Sequence, residues 1–351
     1  MSQYIFLKVK EIIKETTDAI TIVFNKPTTN TSYKPGQFLS FIFEVGGEKL
    51  RRSYSLSSSP YTDEHWAVSV KKVKGGKMST HLVDHLKVGD IIETMAPAGI
   101  FTYEPSPVNN ADIVLIGAGS GITPLFSILN SALSVEKDSR VFLLYANRNE
   151  ESVILKKAIE ALELKYTERF FYTPIYSQPI EDKAHMLSGR MDQDKVKQLL
   201  EGFKVIDFSN ALFFVCGPQG MMDESFQALE LLKVPQDHIR KESFVSSSSG
   251  TEQKVIENPG TGVVVGIRYN KHEYKVNVAP GQTILEAALN QDIDLPYSCQ
   301  SGMCTACMGR CKNGQIKMDD PDGLSENEIK QGYVLTCVGR PLTTDVLIEI
   351  D

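Results

Sequence analysis

The chain has 351 residues, 42% hydrophobic and 23% charged, which is the composition of a soluble globular protein with two or three domains. Its net charge of −7, without a long basic run, argues against nucleic acid as the main partner. The N-terminal residues include lysine and glutamate, and no apolar run approaches the roughly 20 residues that span a bilayer, so we expect a cytoplasmic protein with reduced thiols.

Residues 1–104 contain short stretches of alternating polarity separated by turn signals such as KPGQ, VGGE and KVGD. The candidate strands are YIFLKVKEI, AITIVF, QFLSFIF, HWAVSVKKV and DIIETMA, and STHLVDHL is the single plausible helix. Closely spaced strands with so little helix predict a small antiparallel β-barrel.

The segment RRSYSLSSSP, residues 51–60, is expected at the end of a strand in this barrel. An arginine beside alternating hydroxyl groups and a tyrosine can hold an anionic phosphate and an aromatic ring together. A serine-rich turn without a ligand is the alternative, and it is the better interpretation of this segment taken alone.

Residues 105–245 alternate strands with helices, a pattern that predicts an α/β domain with a parallel sheet covered on both faces. The candidate strands are DIVLIGAG, RVFLLYAN, FFYTPIYS and ALFFVCG. The candidate helices are TPLFSILNSAL, VILKKAIEALELKY, DKVKQLLEGF and MMDESFQALELL.

Two glycine-containing turns of this domain fall where α/β sheets bind ligands. GAGSGITP, residues 117–124, lacks the last glycine of the dinucleotide fingerprint because Ile122 stands there, yet its N–H groups at a helix start suit a pyrophosphate. A tight turn without a ligand is the alternative. VCGPQGMM, residues 215–222, places Cys216 at the carboxyl end of a strand, where it either faces the ligand crevice or is a buried core thiol.

The serine-rich stretch that begins at Val245 predicts a linker over residues 246–260. Residues 261–351 then form a third unit with candidate strands VVVGIRY and EYKVNV and the candidate helix TILEAALNQ. Four of the six cysteines follow within residues 297–311.

The cysteine spacing is that of a plant-type [2Fe–2S] site: Cys299, four residues, Cys304, two residues, Cys307, then 29 residues to Cys337. Small residues between the cysteines leave room for backbone N–H groups to approach the sulfur atoms. Zinc is the main alternative, but the second C-x2-C or histidine pair that it usually needs is absent. A bacterial-type run through Cys311 has the wrong first gap, so we expect Cys311 in the core of the strand that leaves the loop.

Taken in order, R-x-Y-S, G-x-G-x-G-x-x-P, C-G-P and C-x4-C-x2-C…C resemble the ferredoxin–NADP reductase superfamily fused to a plant-type ferredoxin. Three-domain electron-transfer subunits of bacterial oxygenases have this layout, and the resemblance covers essentially the whole chain. It implies a flavin-binding antiparallel β-barrel, an α/β parallel-sheet domain for NAD(P)H and an α+β β-grasp ferredoxin domain.

The resemblance also implies which residues bind the cofactors. Arg52 would contact the flavin pyrophosphate, Tyr54 would stack on the isoalloxazine, and Ser55 would hydrogen-bond near its N5. The turn GGKMST favours FAD over FMN. The further flavin positions are Ser53, Val70, Lys71, Gly76, Met78, Ser79, Glu242 and Phe244. The nucleotide positions are Gly117, Gly119, Gly121, Thr123, Pro124, Cys216, Gly217 and Pro218, and the cluster ligands are Cys299, Cys304, Cys307 and Cys337. Tyr54, Ser55 and Cys216 are the catalytic candidates.

Two positions of this domain bear on the choice between NADPH and NADH. Many NADP-preferring relatives have Ser-Arg after the third strand of this domain, whereas this chain has Ser177 followed by Gln178. Arg148, after the second strand, is either the partner of a 2′-phosphate or a solvated surface arginine. We expect NADPH to be preferred, with Arg148 as its phosphate partner.

The chemistry requires all three sites, because NAD(P)H gives two electrons as a hydride, a [2Fe–2S] cluster takes one at a time, and a flavin can do both. The resemblance therefore implies an NAD(P)H-dependent reductase that passes electrons through FAD and the cluster to a partner oxygenase. Two alternatives remain open, a stand-alone NAD(P)H:ferredoxin or flavodoxin reductase and a redox sensor without sustained turnover.

Overall fold

The computed structural model describes residues 4–27, 31–45, 47–180, 187–244, 262–300 and 302–350. The chain divides into two compact units, Met1–Glu242 and Ser243–Asp351. The predicted linker over residues 246–260 lies outside the described residues. Among the helices of the described ranges, none is long and apolar enough to cross a membrane.

The first part of the larger unit is the predicted antiparallel barrel. Its elements are β1 (Tyr4–Lys14), β2 (Ala19–Phe24), β3 (Phe38–Val45), β4 (Glu48–Ser55), β5 (Ala67–Lys71), α1 (Lys77–His85) and β6 (Ile91–Met95). The strands pair in the order β4-β3-β6-β1-β2-β5. A bridge between Leu56 and Val68 joins the end of β4 to β5, so the sheet closes on itself. Strand β4 ends with the RRSYS residues, as expected, although no candidate strand of the sequence covered its first residues.

The second part of this unit is the predicted α/β domain. Its elements are β7 (Ile113–Ala118), α2 (Ile122–Val135), β8 (Val141–Asn147), α3 (Lys156–Lys165), β9 (Phe170–Tyr176), β10 (Leu187–Ser188), α4 (Gln193–Gly202), β11 (Leu212–Cys216), α5 (Gln219–Leu231) and β12 (Ile239–Glu242). The strands are parallel, in the order β10-β9-β8-β7-β11-β12. The chain therefore adds strands on one side of β7 and returns to its other side with β11. This reversal is a topological switch point, where open α/β sheets bind their ligands.

Continuous apolar runs explain why the central strands lie inside. Ile113 and Leu115 face one core together with α2, whereas Val114 and Ile116 face a second core with α4 and α5. Successive side chains of a strand point to opposite faces, so a strand covered on both faces must be apolar throughout. Phe101, in the segment after the barrel, joins the first of these cores, so the barrel and the α/β domain pack together.

The smaller unit carries five of the six cysteines. Its elements are β13 (Val263–Tyr269), β14 (His272–Val278), α6 (Ile284–Leu289), β15 (Met308–Asn313), β16 (Ile316–Met318), α7 (Glu326–Lys330), β17 (Tyr333–Leu335), β18 (Gly339–Pro341) and β19 (Leu347–Ile350). Five strands form a mixed sheet in the order β14-β13-β19-β15-β17, and β16 pairs with β18. Strands β13 and β19 are parallel, so the two ends of the unit meet in the middle of the sheet. This arrangement confirms the predicted ferredoxin domain.

Candidate functional site

Arg52 and Tyr54 lie on one face of β4, because residues two apart on a strand point the same way. The Arg52 side chain is exposed, and its Nη1 donates to the Arg51 carbonyl oxygen at 2.7 Å. The Tyr54 ring packs against Phe41, with centroids 5.2 Å apart. Burial raises the pKa of Tyr54 above its ordinary value, and the nearby charge of Arg52 opposes part of that increase. A cation therefore stands beside an aromatic ring, as the sequence predicts.

The two serines of the R-S-Y-S motif make different contacts. The Ser53 hydroxyl lies 3.1 Å from the Ser40 hydroxyl on the neighbouring strand. The Ser55 hydroxyl is buried and donates to Oε2 of Glu242 at 3.3 Å, across 187 residues of sequence. Ser55 thus joins the barrel to the last strand of the α/β domain.

The following serines belong to the contact between the barrel and α2. Ser127 on α2 donates its hydroxyl to the Ser58 carbonyl oxygen at 2.5 Å, and the Ser59 and Ser131 hydroxyls are 2.8 Å apart. All four residues are buried. The sequence analysis missed this contact, whose signal is the pair of serines one helical turn apart on α2.

Helix α1 begins at the turn predicted to hold a second part of the flavin pyrophosphate. A Cβ at Gly76 would lie 2.7 Å from Ser79 Oγ, and this hydroxyl accepts a hydrogen bond from the Val73 backbone N–H at 3.1 Å. Met78 points into the barrel core, so only its backbone can face a ligand. The free N–H groups of a helix start suit a phosphate, and the assignment stays a prediction.

Val70 and Lys71 lie on β5, the strand predicted to line the flavin. The Val70 side chain is fully buried in the barrel core. The Lys71 Nζ lies 3.8 Å from Asp18 Oδ2. The buried side chain leaves only the Val70 backbone free to line a cofactor.

The predicted dinucleotide loop follows β7 at the switch point. A different physical reason disfavours a side chain at each of its three glycines. A Cβ at Gly121 would lie 2.1 Å from the Cys216 carbonyl oxygen, and one at Gly117 would lie 2.6 Å from Leu125 Cδ1. Gly119 has open space around it but a φ of +54°, which side chains disfavour. Thr123 and Pro124 lie in the buried first turn of α2.

The opposite wall of the crevice follows β11. A Cβ at Gly217 would lie 3.1 Å from the Ala118 backbone nitrogen, so the two loops are in close contact. Pro218 directly precedes α5. The Cys216 side chain is fully buried, and burial, reinforced by the nearby Glu242, raises the pKa of its thiol well above the ordinary value. Burial and the raised pKa both favour the protonated thiol at Cys216, and its role stays a prediction.

Glu242 ends β12, directly opposite Cys216 in the strand pairing. Its carboxyl group is buried, and burial raises its pKa to about 8 although the Ser55 hydrogen bond lowers it. The group is therefore mostly protonated at neutral pH. The structure thus brings Ser55, Cys216 and Glu242 together, whereas Phe244 is 37% exposed and falls in the other compact unit.

Arg148 and Ser177 lie at the carboxyl ends of neighbouring strands. The Gln178 backbone N–H donates to the Arg148 carbonyl oxygen at 2.7 Å, and the Ser177 N–H donates to the Asn147 carbonyl oxygen at 3.0 Å. The Arg148 side chain is exposed. Both residues are placed where a nucleotide could be contacted, and their roles stay predictions.

The four predicted cluster ligands adjoin one another in two pairs. Cys304 contacts Cys299, and this contact is the main cause of the raised pKa of the Cys304 thiol. Cys307 contacts Cys337, and their hydrogen bond is the main cause of the lowered pKa of the Cys307 thiol. Cys337 also contacts Cys299, so the pairs are neighbours. A [2Fe–2S] cluster needs four thiolates, two on each iron. In the described ranges, no three His, Cys, Asp or Glu side chains converge closely enough to hold a single metal ion, and the cluster ligands stay a prediction.

The loop that carries the thiols is tightly packed at Gly302. Gly302 has a φ of +75°, and a Cβ there would lie 2.5 Å from the Asp320 carbonyl oxygen. Its backbone N–H donates to Cys337 Sγ at 3.4 Å, the kind of contact that tunes a cluster potential. The donor set and the N–H groups therefore fit an iron–sulfur cluster.

Cys311 lies apart from these four thiols. It is on β15, the strand that leaves the loop, and its Sγ donates to the Asn313 carbonyl oxygen at 3.2 Å. The expectation that it is a core residue is wrong, because its side chain is only partly buried. This hydrogen bond does not involve a cluster ligand.

Three family models match consecutive parts of the chain. The model described as "Oxidoreductase FAD-binding domain" matches residues 5–103, and "Oxidoreductase NAD-binding domain" matches residues 115–226. The model described as "2Fe-2S iron-sulfur cluster binding domain" matches residues 267–342. The chain therefore has FAD-binding, NAD-binding and iron–sulfur domains in the order expected from its motifs.

Full-length relatives have the same organisation. A component of 1,2-phenylacetyl-CoA epoxidase from Escherichia coli (strain K12) is 35% identical over 100% of this chain and 99% of its own length. The ferredoxin reductase component of 3-ketosteroid-9-alpha-monooxygenase from Rhodococcus rhodochrous is 33% identical over 99% of this chain and 97% of its own length. The solved structure of phthalate dioxygenase reductase covers 99% of this chain with a TM-score of 0.59 at 20% identity, which indicates a shared fold.

Proposed function

Because the chain belongs to the family of reductases that carry FAD-binding, NAD-binding and 2Fe-2S domains and serve oxygenases, we propose that its acceptor is an oxygenase acting on phenylacetyl-CoA or a similar thioester. The chain is an NAD(P)H-dependent oxidoreductase that uses FAD and a [2Fe–2S] cluster. The similarity to the epoxidase component over the whole chain supports this choice of acceptor. Thiolate ligands need a reducing compartment, so a cytoplasmic location is part of the proposal.

The observation that carries the proposed path is the hydrogen bond between Ser55 and Glu242. It joins the strand that bears the predicted flavin residues to the strand paired with Cys216, at the nucleotide crevice. A flavin held along β4 would therefore lie beside a nicotinamide bound at the switch point. A bound flavin would accept the two electrons of a hydride and release them one at a time.

Each predicted residue has a definite part in this proposal. Arg52 neutralises the flavin pyrophosphate, and Tyr54 orients the ring by stacking. Ser55 and the protonated Glu242 hold a proton beside the ring, and the Cys216 backbone lies at the nicotinamide end. The other flavin positions are Ser53, Val70, Lys71, Gly76, Met78, Ser79 and Phe244. The further nucleotide positions are Gly117, Gly119, Gly121, Thr123, Pro124, Gly217, Pro218, Ser177 and Arg148, the last facing a 2′-phosphate.

Replacing Arg52 with alanine should weaken FAD binding by about 1.5–3 kcal/mol, the contribution of a hydrogen bond to a charged group. Its exposed guanidinium is free to meet the pyrophosphate, so the loss should appear in affinity and not in folding. Flavin titration of the apoprotein measures this. Lys49→Ala removes another exposed cation of β4 and should leave the affinity unchanged. Full affinity in Arg52→Ala would remove Arg52 from the flavin site.

The choice of acceptor is tested by reconstitution with purified oxygenase components. The chain is mixed with NAD(P)H and the oxygenase components of a phenylacetyl-CoA epoxidase. We expect the oxygenase to complete many turnovers and to form the epoxide product. The oxygenase of a 3-ketosteroid 9α-monooxygenase provides the comparison, because its reductase is a relative of nearly equal identity. Turnover with the steroid oxygenase alone would contradict the proposed acceptor, while leaving the reductase function intact.

A further inference from the structure

The hydroxyl group of Tyr145 lies beneath the dinucleotide loop. Tyr145 is fully buried on β8 and is directly opposite Gly117 in the pairing of β7 with β8. Its hydroxyl donates to the carbonyl oxygen of Gly119 at 2.8 Å. A buried tyrosine normally satisfies its hydroxyl group, and here its partners are the Asn147 side chain, the Ile154 backbone and the backbone of the loop predicted to hold the pyrophosphate.

The contact determines the direction of the next peptide N–H. A trans peptide is planar, so the carbonyl oxygen of one residue and the N–H of the next point in opposite directions. Holding the Gly119 oxygen toward the buried Tyr145 therefore turns the Ser120 N–H away from the core, toward the half-exposed side of the loop. Thr123 acts similarly on the next peptide, because its Oγ1 donates to the Ser120 oxygen at 3.0 Å.

The loop needs this restraint because glycine leaves its backbone free. Gly119 has a φ of +54° and no heavy atom within 4 Å of an added Cβ, so side-chain packing does not restrain it, and its carbonyl oxygen is held by two donors, the Tyr145 hydroxyl and the Ile122 N–H. Glycine populates several regions of φ and ψ with little difference in energy. If the peptide turned over, a carbonyl oxygen would replace an N–H group on the side that faces the anion, exchanging an attraction for a repulsion.

We propose that Tyr145 is a positioning residue for the nucleotide, because its hydroxyl fixes the peptide between Gly119 and Ser120 with the Ser120 N–H toward the pyrophosphate. The proposal rests on the proposed function of this loop as the dinucleotide site. It extends that function to a residue on the neighbouring strand that does not itself touch the nucleotide. The property that Tyr145 controls is affinity for the pyrophosphate common to NADH and NADPH.

Tyr145→Phe is a suitable variant because it removes the hydroxyl and keeps the ring that packs in the core. The Gly119 oxygen would keep a partner, since it also accepts from the Ile122 backbone N–H. We therefore expect a folded variant with full flavin content. Tyr172→Phe is the matched control, because Tyr172 lies on the adjacent β9 and its hydroxyl interacts with Tyr176 instead of the loop.

The experiment measures steady-state reduction of ferricyanide by the full-length, flavin-loaded chains. In Tyr145→Phe, KM should rise about tenfold for NADH and NADPH alike, a loss of about 1.4 kcal/mol, while kcat at saturation stays within about twofold. Dihydronicotinamide riboside carries no pyrophosphate, so kcat/KM with this donor should be the same in both chains. A general loosening of the fold would instead lower kcat with every donor.

Three results would overturn the role of Tyr145. These are an unchanged KM for both nucleotides in Tyr145→Phe, an equal loss with the riboside, and an equal rise in KM in Tyr172→Phe. Failure of the underlying function would look different, because the wild-type chain would then use the riboside as efficiently as NADH and NADPH. A wild-type chain that prefers the nucleotides, with a Tyr145→Phe variant that loses this preference, supports the proposal.

Discussion

Replacing Cys337 with serine is expected to abolish the iron–sulfur cluster. Cys337 adjoins both Cys299 and Cys307, and it accepts the Gly302 backbone N–H, so its sulfur lies at the centre of the thiol group. Four thiolates hold a [2Fe–2S] cluster, and a serine hydroxyl is a poor replacement for one of them. Iron and sulfide content should fall to background, and the visible absorbance of the cluster should disappear, while FAD remains bound to the other compact unit.

Cys311→Ser is the matched control for this variant. Cys311 lies only four residues beyond Cys307, yet its sulfur bonds to the Asn313 carbonyl oxygen and contacts none of the four thiols in the interactions described above. Iron content and absorbance should therefore equal those of the wild type. If Cys311→Ser lost the cluster and Cys337→Ser kept it, the assignment of ligands from spacing would be wrong.

Replacing Gly121 with alanine should nearly abolish NAD(P)H oxidation. The new Cβ would lie 2.1 Å from the Cys216 carbonyl oxygen and 2.5 Å from its carbonyl carbon, both backbone atoms that no rotamer change can move. The loop and β11 would have to separate, at a cost of about 1–3 kcal/mol or more for overpacking. Displacement of a nucleotide by about 1 Å can lower kcat/KM by about a hundredfold.

Gly220→Ala shows whether this effect is specific to the contact. Gly220 lies in the first turn of α5, just beyond the same crevice, and an added Cβ meets no heavy atom within 4 Å. Stopped-flow reduction of the flavin by NADPH, together with thermal unfolding, should leave this variant close to the wild type. Wild-type kinetics in Gly121→Ala would mean that the two loops are not in the close contact described above.

Features that depend on neighbours in sequence could be predicted well. The cysteine spacing predicted the iron–sulfur domain, because one loop must direct several thiolates to the same cluster. The alternation of apolar strands and helices gave the parallel sheet, and the order of strands then placed residues 117–121 and Cys216 at the switch point. These signals are local, or they follow from rules of chain connection.

Contacts between distant segments could not be read from the sequence. Ser55 and Glu242 are 187 residues apart, and only the resemblance placed Glu242 near the flavin. The serines after Tyr54 had the composition of a turn or a phosphate site, but they form a buried contact with α2. Tyr145 lies in an apolar run, and the sequence does not indicate a hydrogen-bond partner for its hydroxyl group. The pairing of β7 with β8 brings this hydroxyl to the Gly119 carbonyl oxygen.

The central claim is that electrons pass from NAD(P)H to the flavin, then to the cluster, and only then to the acceptor. The division of the chain favours a direct test, because one compact unit carries the flavin and nucleotide residues apart from Phe244, and the other carries the four predicted cluster ligands. A chain that ends at residue 245 should keep the first unit folded.

The decisive measurement compares this shortened chain with the full chain, using NAD(P)H as donor and two acceptors. Ferricyanide is small enough to take electrons from the flavin, so both chains should reduce it at similar rates. Cytochrome c should be reduced rapidly by the full chain and very slowly by the shortened one, because a protein acceptor takes its electron from the cluster. If the shortened chain reduced cytochrome c as fast as the full chain, the cluster would not be the exit point for electrons, and the linear path would be contradicted.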